Sequence, residues 1–174
     1  FSGATFVPAE PRRDGIERLL AALRQHRPES LHLAPALLRT LTAHPAAAEA
    51  LSGVRLVATC GEAPDARDVA RLRAVAPFIA FGNRAGSSET GNLAFDLFGP
   101  DRPLPDGTLV PGRLAAGKSV TVHDESGALL PPGAVGRLRV ASPYLASGYL
   151  TDTGPVDFPT DADGRRVHQL GDLG

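Results

Sequence analysis

The pattern of apolar and polar residues predicts α/β structure over residues 1–100. Short apolar runs typical of buried strands occupy residues 31–33, 54–58 and 78–81. Between them, apolar residues recur every three or four positions among arginines, which predicts amphipathic helices. The positions that mark these helices are Ile16, Leu19, Leu20 and Leu23 in the first, residues 35–42 in the second, and Val69, Leu72 and Val75 in the third. Strands that alternate with helices predict a parallel sheet with flanking helices.

The helical period disappears after about residue 100, and residues 101–174 have the pattern of β structure. Residues 120–123 and 136–140 alternate in the manner of strands, and turns that contain glycine and proline separate such runs. Residues 151–166 are polar and contain two glycines and two prolines, which predicts a mobile loop. We therefore expect an α/β fold in which a parallel sheet is followed by a small β-barrel-like half, both being parts of one incomplete core.

Composition and charge exclude several classes of protein. The formal net charge of -1 and the interspersed signs of charge give no basic stripe, which argues against nucleic acid as a partner. No apolar run approaches the roughly 18 residues of a membrane helix, so we expect no contact with a membrane. The single cysteine, Cys60, has no internal partner for a disulfide, and a reducing cytoplasmic compartment is the simplest setting.

The two ends of the chain predict that it is a piece of a larger protein. It begins with Phe1, contains no methionine, and stops on Gly174 directly after a glycine-containing turn. A chain of this length can bury roughly 70% of its unfolded surface, so we expect it to fold alone. We do not expect it to complete a reaction alone.

The first segment suited to chemistry is the polar run at residues 83–91, directly after the predicted strand at residues 78–81. Loops at the carboxyl ends of parallel strands are where open α/β sheets bind ligands. The glycines of this run let a phosphate approach the backbone, its hydroxyl groups are hydrogen-bond donors, and the carboxylate of Glu89 can hold a magnesium ion. A plain polar connection between two elements is the alternative interpretation.

Two further segments carry weaker signals. Residues 59–64 place Gly61, Glu62 and Ala63 between a strand and a helix start, where the acidic side chain also suits the positive end of a helix dipole with no ligand present. Residues 168–172 place Asp172 after a glycine turn. Its carboxylate can accept hydrogen bonds from ribose hydroxyls, or it is an ordinary turn residue.

Residues 112–119 match the spacing of a phosphate-binding loop, with Lys118 as its lysine. That motif must join a strand to a helix, whereas the residues that follow Lys118 are β-branched and alternate like a strand. We therefore reject the match. The histidines have no metal-ligand spacing with Cys60 or with each other, and the sequence supports no Ser-His-Asp arrangement.

Taken in order, these segments resemble the motifs of the adenylate-forming enzymes, which include acyl- and aryl-CoA ligases and the adenylation domains of nonribosomal peptide synthetases. The resemblance covers nearly the whole chain, and its strength lies in the order of the motifs, since no single motif is specific. The matching stretches are residues 2–7, 33–38, 61–63, 83–89, 110–113, 130–133, 136–140, 148–150 and 171–173.

The resemblance implies part of the N-terminal core of a ligase that uses ATP and Mg²⁺ to convert a carboxylic or amino acid into an acyl adenylate, releasing pyrophosphate. The acyl group then passes to the thiol of a carrier protein or of CoA, and neighbouring synthase domains are further partners. By position, Asn83 and the turn at residues 61–63 contact adenine, Ser88 contacts a phosphate, Glu89 binds magnesium and Asp172 binds the ribose. Ser88 and Glu89 are therefore the candidate catalytic residues.

Departures from the family pattern keep a second hypothesis open, a degenerate adenylation-like scaffold within a multidomain synthase. Ala85 stands where many members carry an aromatic ring that stacks on adenine, and Leu170 replaces the hydroxyl residue before Gly171. Losing one stacking partner costs on the order of 0.5 to 1.5 kcal/mol. The family's hydroxyl- and glycine-rich phosphate loop and its lid lysine have no match in this sequence, and Lys118 does not replace that lysine.

Overall fold

A computed structural model describes residues 3–174 of the chain. Phe1 and Ser2, the second of which belongs to the first matching stretch, lie outside the described residues. The chain forms two compact units, and it passes between them three times. The first unit contains the described residues up to Arg84 together with Asp96–Pro111, and the second contains Ala85–Phe95 and Gly112–Gly174.

The first unit carries the helices and the parallel strands. In chain order its elements are α1 (Pro11–His26), β1 (Ser30–Leu33), α2 (Pro35–Thr42), α3 (Ala47–Ala50), β2 (Leu56–Thr59), α4 (Ala66–Val75) and the first part of β3 (Ala80–Ser87). Strand β2 lies between β1 and β3 and is parallel to both, with Thr59 level with Leu33 on one side and with Asn83 on the other. The predicted α/β fold with a helix-flanked parallel sheet is confirmed.

Local sequence explains where these helices begin. Pro35 is the first residue of α2, where its missing N–H costs no hydrogen bond. Helix α4 begins two residues after Pro64, because Asp65 is its N-cap and the Asp68 carboxylate accepts a hydrogen bond of 3.3 Å from the Asp65 backbone amide. This capping box fixes the turn that leads from β2 into α4.

The core of the first unit is built from the apolar stripes that the sequence predicts. Leu20 of α1, Leu38 of α2 and Val69 of α4 are fully buried, and they belong to one cluster with Val57 of β2 and Phe81 of β3. Burying a side chain of this size stabilises a fold by about 1.5–3 kcal/mol. Helices and sheet therefore hold each other in place, and the carboxyl end of β2 and the part of β3 paired with it have a rigid support.

The second unit is made of small antiparallel sheets. The rest of β3 and the first part of β4 (Gly91–Phe98) lie in this unit, and with β5 (Arg113–Leu114) they continue the five-stranded sheet in the order β1-β2-β3-β4-β5. A three-stranded sheet has the order β10-β7-β6, formed by β6 (Ser119–His123), β7 (Arg137–Ser142) and β10 (Arg166–Leu173), while β8 (Gly148–Thr151) and β9 (Gly154–Asp157) form a ribbon. Within residues 3–174 these sheets stay small and open and do not close into a barrel. Their core contains Leu93, Val140, Leu145, Phe158 and Leu170.

Two sequence-based expectations for this unit have clear outcomes. Residues 151–166 are not a structureless loop, because β9 lies among them and pairs with β8 from Gly148 to Asp157. The sequence pattern did not predict this strand because it contains glycine and proline, which are poor strand formers, and proline in sheets is confined mainly to edge strands such as this one. The rejection of the phosphate-binding loop is confirmed, because Lys118 leads directly into β6 and not into a helix.

Candidate functional site

The polar motif at residues 83–91 forms the end of a strand and a hairpin turn, which corrects the expectation of a free loop. Strand β3 continues through Asn83 to Ser87, and β4 starts at Gly91. Gly86 faces the opposite strand so closely that an added Cβ would lie 2.0 Å from the Gly91 carbonyl oxygen. A glycine is therefore required there by close backbone approach.

Thr90 holds the turn in shape from inside. Its side chain is buried, and its hydroxyl accepts a hydrogen bond of 3.0 Å from the Ser87 amide and donates one of 3.1 Å to the Gly91 carbonyl. The Nζ of Lys118 donates to the Thr90 carbonyl, which ties the turn to the segment before β6. Ser88 is exposed at the tip, and within residues 3–174 its hydroxyl has no hydrogen-bond partner. The turn thus presents a free hydroxyl on a fixed backbone.

Glu89 is half-buried next to that hydroxyl, and its carboxylate is held by the rest of the unit. The Tyr149 hydroxyl donates to Glu89 Oε1 over 3.1 Å, and the Ala146 amide donates to the Glu89 carbonyl over 2.8 Å. Hydrogen bonds from the Ser87 hydroxyl, from its own backbone amide and from Tyr149 lower the pKa of the Glu89 carboxyl, with a smaller contribution from the charge of His168. Glu89 is therefore ionised at neutral pH and suited to bind a cation.

The Tyr149 side chain that binds Glu89 belongs to a cluster of three aromatic rings. Tyr149 packs edge-on against Phe158, with ring centroids 5.1 Å apart, and Phe158 stacks on His168 at 4.5 Å. Sequence reasoning missed Phe158 and His168 as neighbours of Glu89. Only Tyr149 had a signal, as part of the matching stretch at residues 148–150. The cluster connects Glu89 to β10, the strand that also carries Asp172.

Asp172 lies within β10 and is exposed, whereas the sequence suggested that a glycine turn precedes it. The pairing of β10 with β7 shifts register between Gln169 and Leu173, so Asp172 sits in an irregular part of the strand where its carboxylate reaches solvent. Leu170, the departure from the family's hydroxyl residue, is buried in the core of the second unit. An apolar residue at this position is accounted for by packing.

Asn83 is buried in the first unit, and its side chain is already in use. Its Nδ2 donates a hydrogen bond of 2.9 Å to the carbonyl of Leu109. The segment around Leu109 is also bound to the turn before α4, because the Leu109 amide donates to the Pro64 carbonyl over 2.8 Å. Asn83 therefore links the middle of β3, where its pairing with β2 ends, to this turn, and its Oδ1 and second N–H are the groups left for a ligand.

The turn at residues 61–63 is exposed and directly follows β2. Gly61 has a φ of 91°, which only glycine adopts without strain. The Glu62 carboxylate lies 3.7 Å from the Arg39 guanidinium, which also binds the buried Asp68 over 2.9 Å. Glu62 thus belongs to an ion-pair network around the start of α4, and Ala63 is exposed beside it.

The predicted site residues fall into two groups. Gly61, Glu62, Ala63 and Asn83 belong to the first unit, where Thr59 and Asn83 lie level on neighbouring strands, while Ser88, Glu89 and Asp172 belong to the second. Among residues 3–174, no three histidine, cysteine or acidic side chains come together as a metal site. In the same part of the chain, no helix is both long and apolar enough to cross a membrane.

A family comparison agrees with this combination of a parallel α/β sheet and an acidic hairpin turn. The sequence pattern of the AMP-binding enzymes matches residues 1–150. The chain belongs to the AMP-binding enzyme family, that is, to the adenylate-forming superfamily whose motifs the sequence resembles.

Individual relatives are longer than this chain. It is 31% identical over 179 residues to phenyloxazoline synthase MbtB of Mycolicibacterium paratuberculosis, an alignment that covers 98% of the chain and 15% of the synthase. Among solved structures it is similar to CmiS6, with a TM-score of 0.81, 29% identity and coverage of 99% of the chain and 44% of CmiS6. PA1221, a nonribosomal peptide synthetase protein with adenylation and PCP domains, shares the fold at a TM-score of 0.70 and 24% identity, covering 97% of the chain and 34% of PA1221.

Proposed function

We propose that this chain is part of the N-terminal core of an ATP-dependent enzyme that activates a carboxylate. A carboxylic or amino acid attacks the α-phosphate of ATP, pyrophosphate leaves, and an acyl adenylate forms. Residues 1–100 supply the α/β part of this core and residues 101–174 its β-rich part. The observation that carries the proposal is the ionised Glu89, fixed at a glycine-hydroxyl turn in a chain of the AMP-binding family.

Each proposed role follows from what its side chain offers. Ser88 has an exposed hydroxyl on a rigid turn, which suits a hydrogen bond to a phosphate oxygen. Asp172 exposes a carboxylate that suits the two hydroxyls of a ribose. Asn83 offers an amide oxygen and one N–H to adenine, and the backbone of the turn at Gly61 is the second proposed adenine contact. Catalysis would come mainly from positioning and from neutralising phosphate charge.

A magnesium ion fits the donor set around Glu89. Mg²⁺ commonly binds one or two protein carboxylates, and substrate phosphates and water complete its shell. Glu89 is a single ionised carboxylate with one oxygen hydrogen-bonded to Tyr149, so one protein ligand plus ATP oxygens matches that pattern. The ion would supply positive charge to the phosphates. The depressed pKa of Glu89 means that protons do not compete for this ligand near neutral pH.

The test of the Glu89 role is ATP–pyrophosphate exchange in the whole protein that carries this chain. We expect Glu89→Gln to reduce exchange by at least about 10- to 100-fold, with partial recovery at high magnesium concentration. Glu125→Gln is the matched control, because Glu125 is exposed at a turn in the same unit. Full exchange in Glu89→Gln would refute the magnesium role.

The acceptor in the second step is proposed to be a thiol, on a carrier protein or on CoA. The support is that PA1221, which shares the fold, joins adenylation and PCP domains in one protein. Transfer of a radiolabelled acyl group to a carrier protein, compared with transfer to CoA, distinguishes the two acceptors. No acyl transfer to either one, despite active exchange, would contradict a thiol acceptor.

The competing proposal is a scaffold that has lost nucleotide binding. Ala85 favours it, because no aromatic side chain projects from this position of β3 to stack on adenine. Leu170 no longer favours it, because its burial in the core explains the replacement. Calorimetry with ATP and magnesium separates the two proposals, since a scaffold gives no saturable heat.

A further inference from the structure

An arginine without an acidic partner lies at the carboxyl end of the parallel sheet, outside the roles assigned so far. Arg84 is half-buried at the point where β3 passes beyond its pairing with β2. Arg39 and Arg165 differ from it, because Arg39 pairs with Asp68 at 2.9 Å and Arg165 pairs with Asp161 at 2.8 Å. Within residues 3–174, Arg84 has no carboxylate within ion-pair distance, and its one side-chain partner is His32.

The sheet itself explains how Arg84 and His32 meet across an intervening strand. His32, Ala58 and Gly82 lie level on β1, β2 and β3, so they share one face of the sheet. Arg84 follows Gly82 by two residues and points to the same face. Because Ala58 has only a methyl group and Gly82 no side chain, the long arginine reaches across β2, and its Nη1 comes to 3.2 Å from His32 Nδ1.

The hydrogen bonds of His32 leave the positive charge of Arg84 uncompensated. A guanidinium only donates, so His32 Nδ1 must accept, and the ring proton is on Nε2, which lies 3.0 Å from Ser30 Oγ. Burial, followed by the charge of Arg84, lowers the pKa of His32, which agrees with a neutral ring. His32 therefore fixes the direction of the guanidinium and adds no negative charge. Such a group is suited to bind a carboxylate through two parallel hydrogen bonds.

Arg84 could bind either the carboxylate that reacts or a second carboxylate of the substrate, and the charge changes during the reaction distinguish the two. A carboxylate that attacks the α-phosphate loses its charge as the acyl adenylate forms. Arginine bound to that group would stabilise the ground state more than the transition state and would slow the reaction. A second carboxylate, one that stays ionised throughout, gains the same contact in both states and raises affinity without this cost.

We propose that Arg84, oriented by His32, binds a second carboxylate of the acid substrate, so that the enzyme activates dicarboxylates. That the bound dicarboxylate is a substrate rests on the proposed function. The ability to bind a carboxylate at Arg84 does not, because it is a property of the first unit. Ser30, His32 and Arg84 all belong to that unit, at the sheet edge where open α/β folds bind ligands.

The binding test uses the chain itself, titrated with succinate and with succinamate, in which an amide replaces one carboxylate. We expect succinate to bind about 10- to 100-fold more tightly than succinamate. Arg84→Gln should remove that difference, and Arg84→Lys, which keeps the charge but not the planar fork, should retain part of it. Arg139→Gln is the matched control, because Arg139 is also half-buried on a strand and has no ion pair within residues 3–174. Equal affinity for both probes, or a difference that survives Arg84→Gln, would overturn the proposal.

Exchange kinetics of the whole protein separate this inference from the proposed function. With dicarboxylates as substrates, we expect Arg84→Gln to raise KM about 10- to 100-fold and to leave kcat nearly unchanged. Exchange that prefers monocarboxylates and ignores Arg84→Gln would sink the inference and leave the proposed function standing. No exchange with any acid, together with Arg84-dependent binding of succinate, would contradict the proposed function and leave the carboxylate site at Arg84 standing. Loss of ATP binding in Arg84→Gln, with succinate binding unchanged, would assign the arginine to phosphate and contradict the proposal.

Discussion

Two buried threonines allow one substitution to be tested in opposite directions. The hydroxyl of Thr59, at the end of β2, is buried without a hydrogen-bond partner among residues 3–174, and the Thr59 side chain is 0% exposed. An unsatisfied buried polar group costs about 1–3 kcal/mol. Valine has nearly the same shape and lacks the hydroxyl. We therefore expect Thr59→Val to raise the free energy of unfolding by about 1–2 kcal/mol.

Thr90→Val is the matched control, because Thr90 is as deeply buried but fully bonded. Its hydroxyl accepts from the Ser87 amide and donates to the Gly91 carbonyl. Removing two such hydrogen bonds, each worth about 0.5–1.5 kcal/mol, should lower the free energy of unfolding by about 1–3 kcal/mol. The same chemical change thus has opposite signs at the two positions.

Urea denaturation with two signals can follow the two units separately. All four helices within residues 3–174 lie in the first unit, so far-ultraviolet circular dichroism reports mainly on the surroundings of Thr59. Both tyrosines of the chain, Tyr144 and Tyr149, lie in the second unit, so tyrosine fluorescence reports on the surroundings of Thr90. A loss of stability in Thr59→Val would refute the reasoning, because it would mean that the Thr59 hydroxyl is satisfied.

The remaining predictions concern the hairpin and its carboxylate. Gly86→Ala should unfold the hairpin, because the new methyl group would lie 2.0 Å from the Gly91 carbonyl oxygen. Gly99→Ala should be tolerated, since an added Cβ there meets nothing within 4 Å. Amide hydrogen exchange in β4 measures both effects. Tyr149→Phe should raise the pKa of the Glu89 carboxyl toward its usual value, as it removes one hydrogen bond. The stabilisation by ionised Glu89 is present above the unfolded-state pKa and lost as the pH falls through the depressed folded pKa, so the variant should lose it at higher pH. An unchanged NMR titration of Glu89 would contradict this.

The first unit could be predicted from sequence because its pattern and its packing agree. Amphipathic stretches such as the one around Leu20 and apolar runs such as the one ending at Ala58 have one structural solution each, a packed helix and a buried strand. Proline marked the start of α2 correctly. Pro64 does not mark the start of α4 in the same way, because Asp65 is the capping residue and the helix begins at Ala66.

Strands without apolar patterns could not be predicted in this way. The end of β3 around Gly86 and the strand β9 consist of glycine, serine, proline and polar residues, and they are strands only because a partner strand pairs with them. Such pairing depends on contacts between residues distant in sequence, which local propensity does not contain.

The candidate site shows the same division. The order of motifs pointed to Glu89, but its phenol partner, Tyr149, is 60 positions away in the chain. Arg84 lies inside the recognised motif, and sequence reasoning assigned it no role. Its importance depends on His32, 52 positions away, and on the small residues between them. The contacts that Glu89 and Arg84 make with residues distant in the chain are visible only in the structure.

Lys118 is the sole lysine of the chain, and it is bonded to the turn beside Glu89. Burial lowers the pKa of its amine, so a larger share of it is unprotonated at a given pH than of an exposed lysine. Within this chain, Lys118 is the one side chain that amine-reactive reagents can modify. Acylation there would remove the positive charge beside the turn carbonyl and introduce a bulky group next to the acidic hairpin. The rate at which an amine reagent modifies Lys118 therefore reports whether a bound ligand covers that hairpin, and no engineered probe is needed.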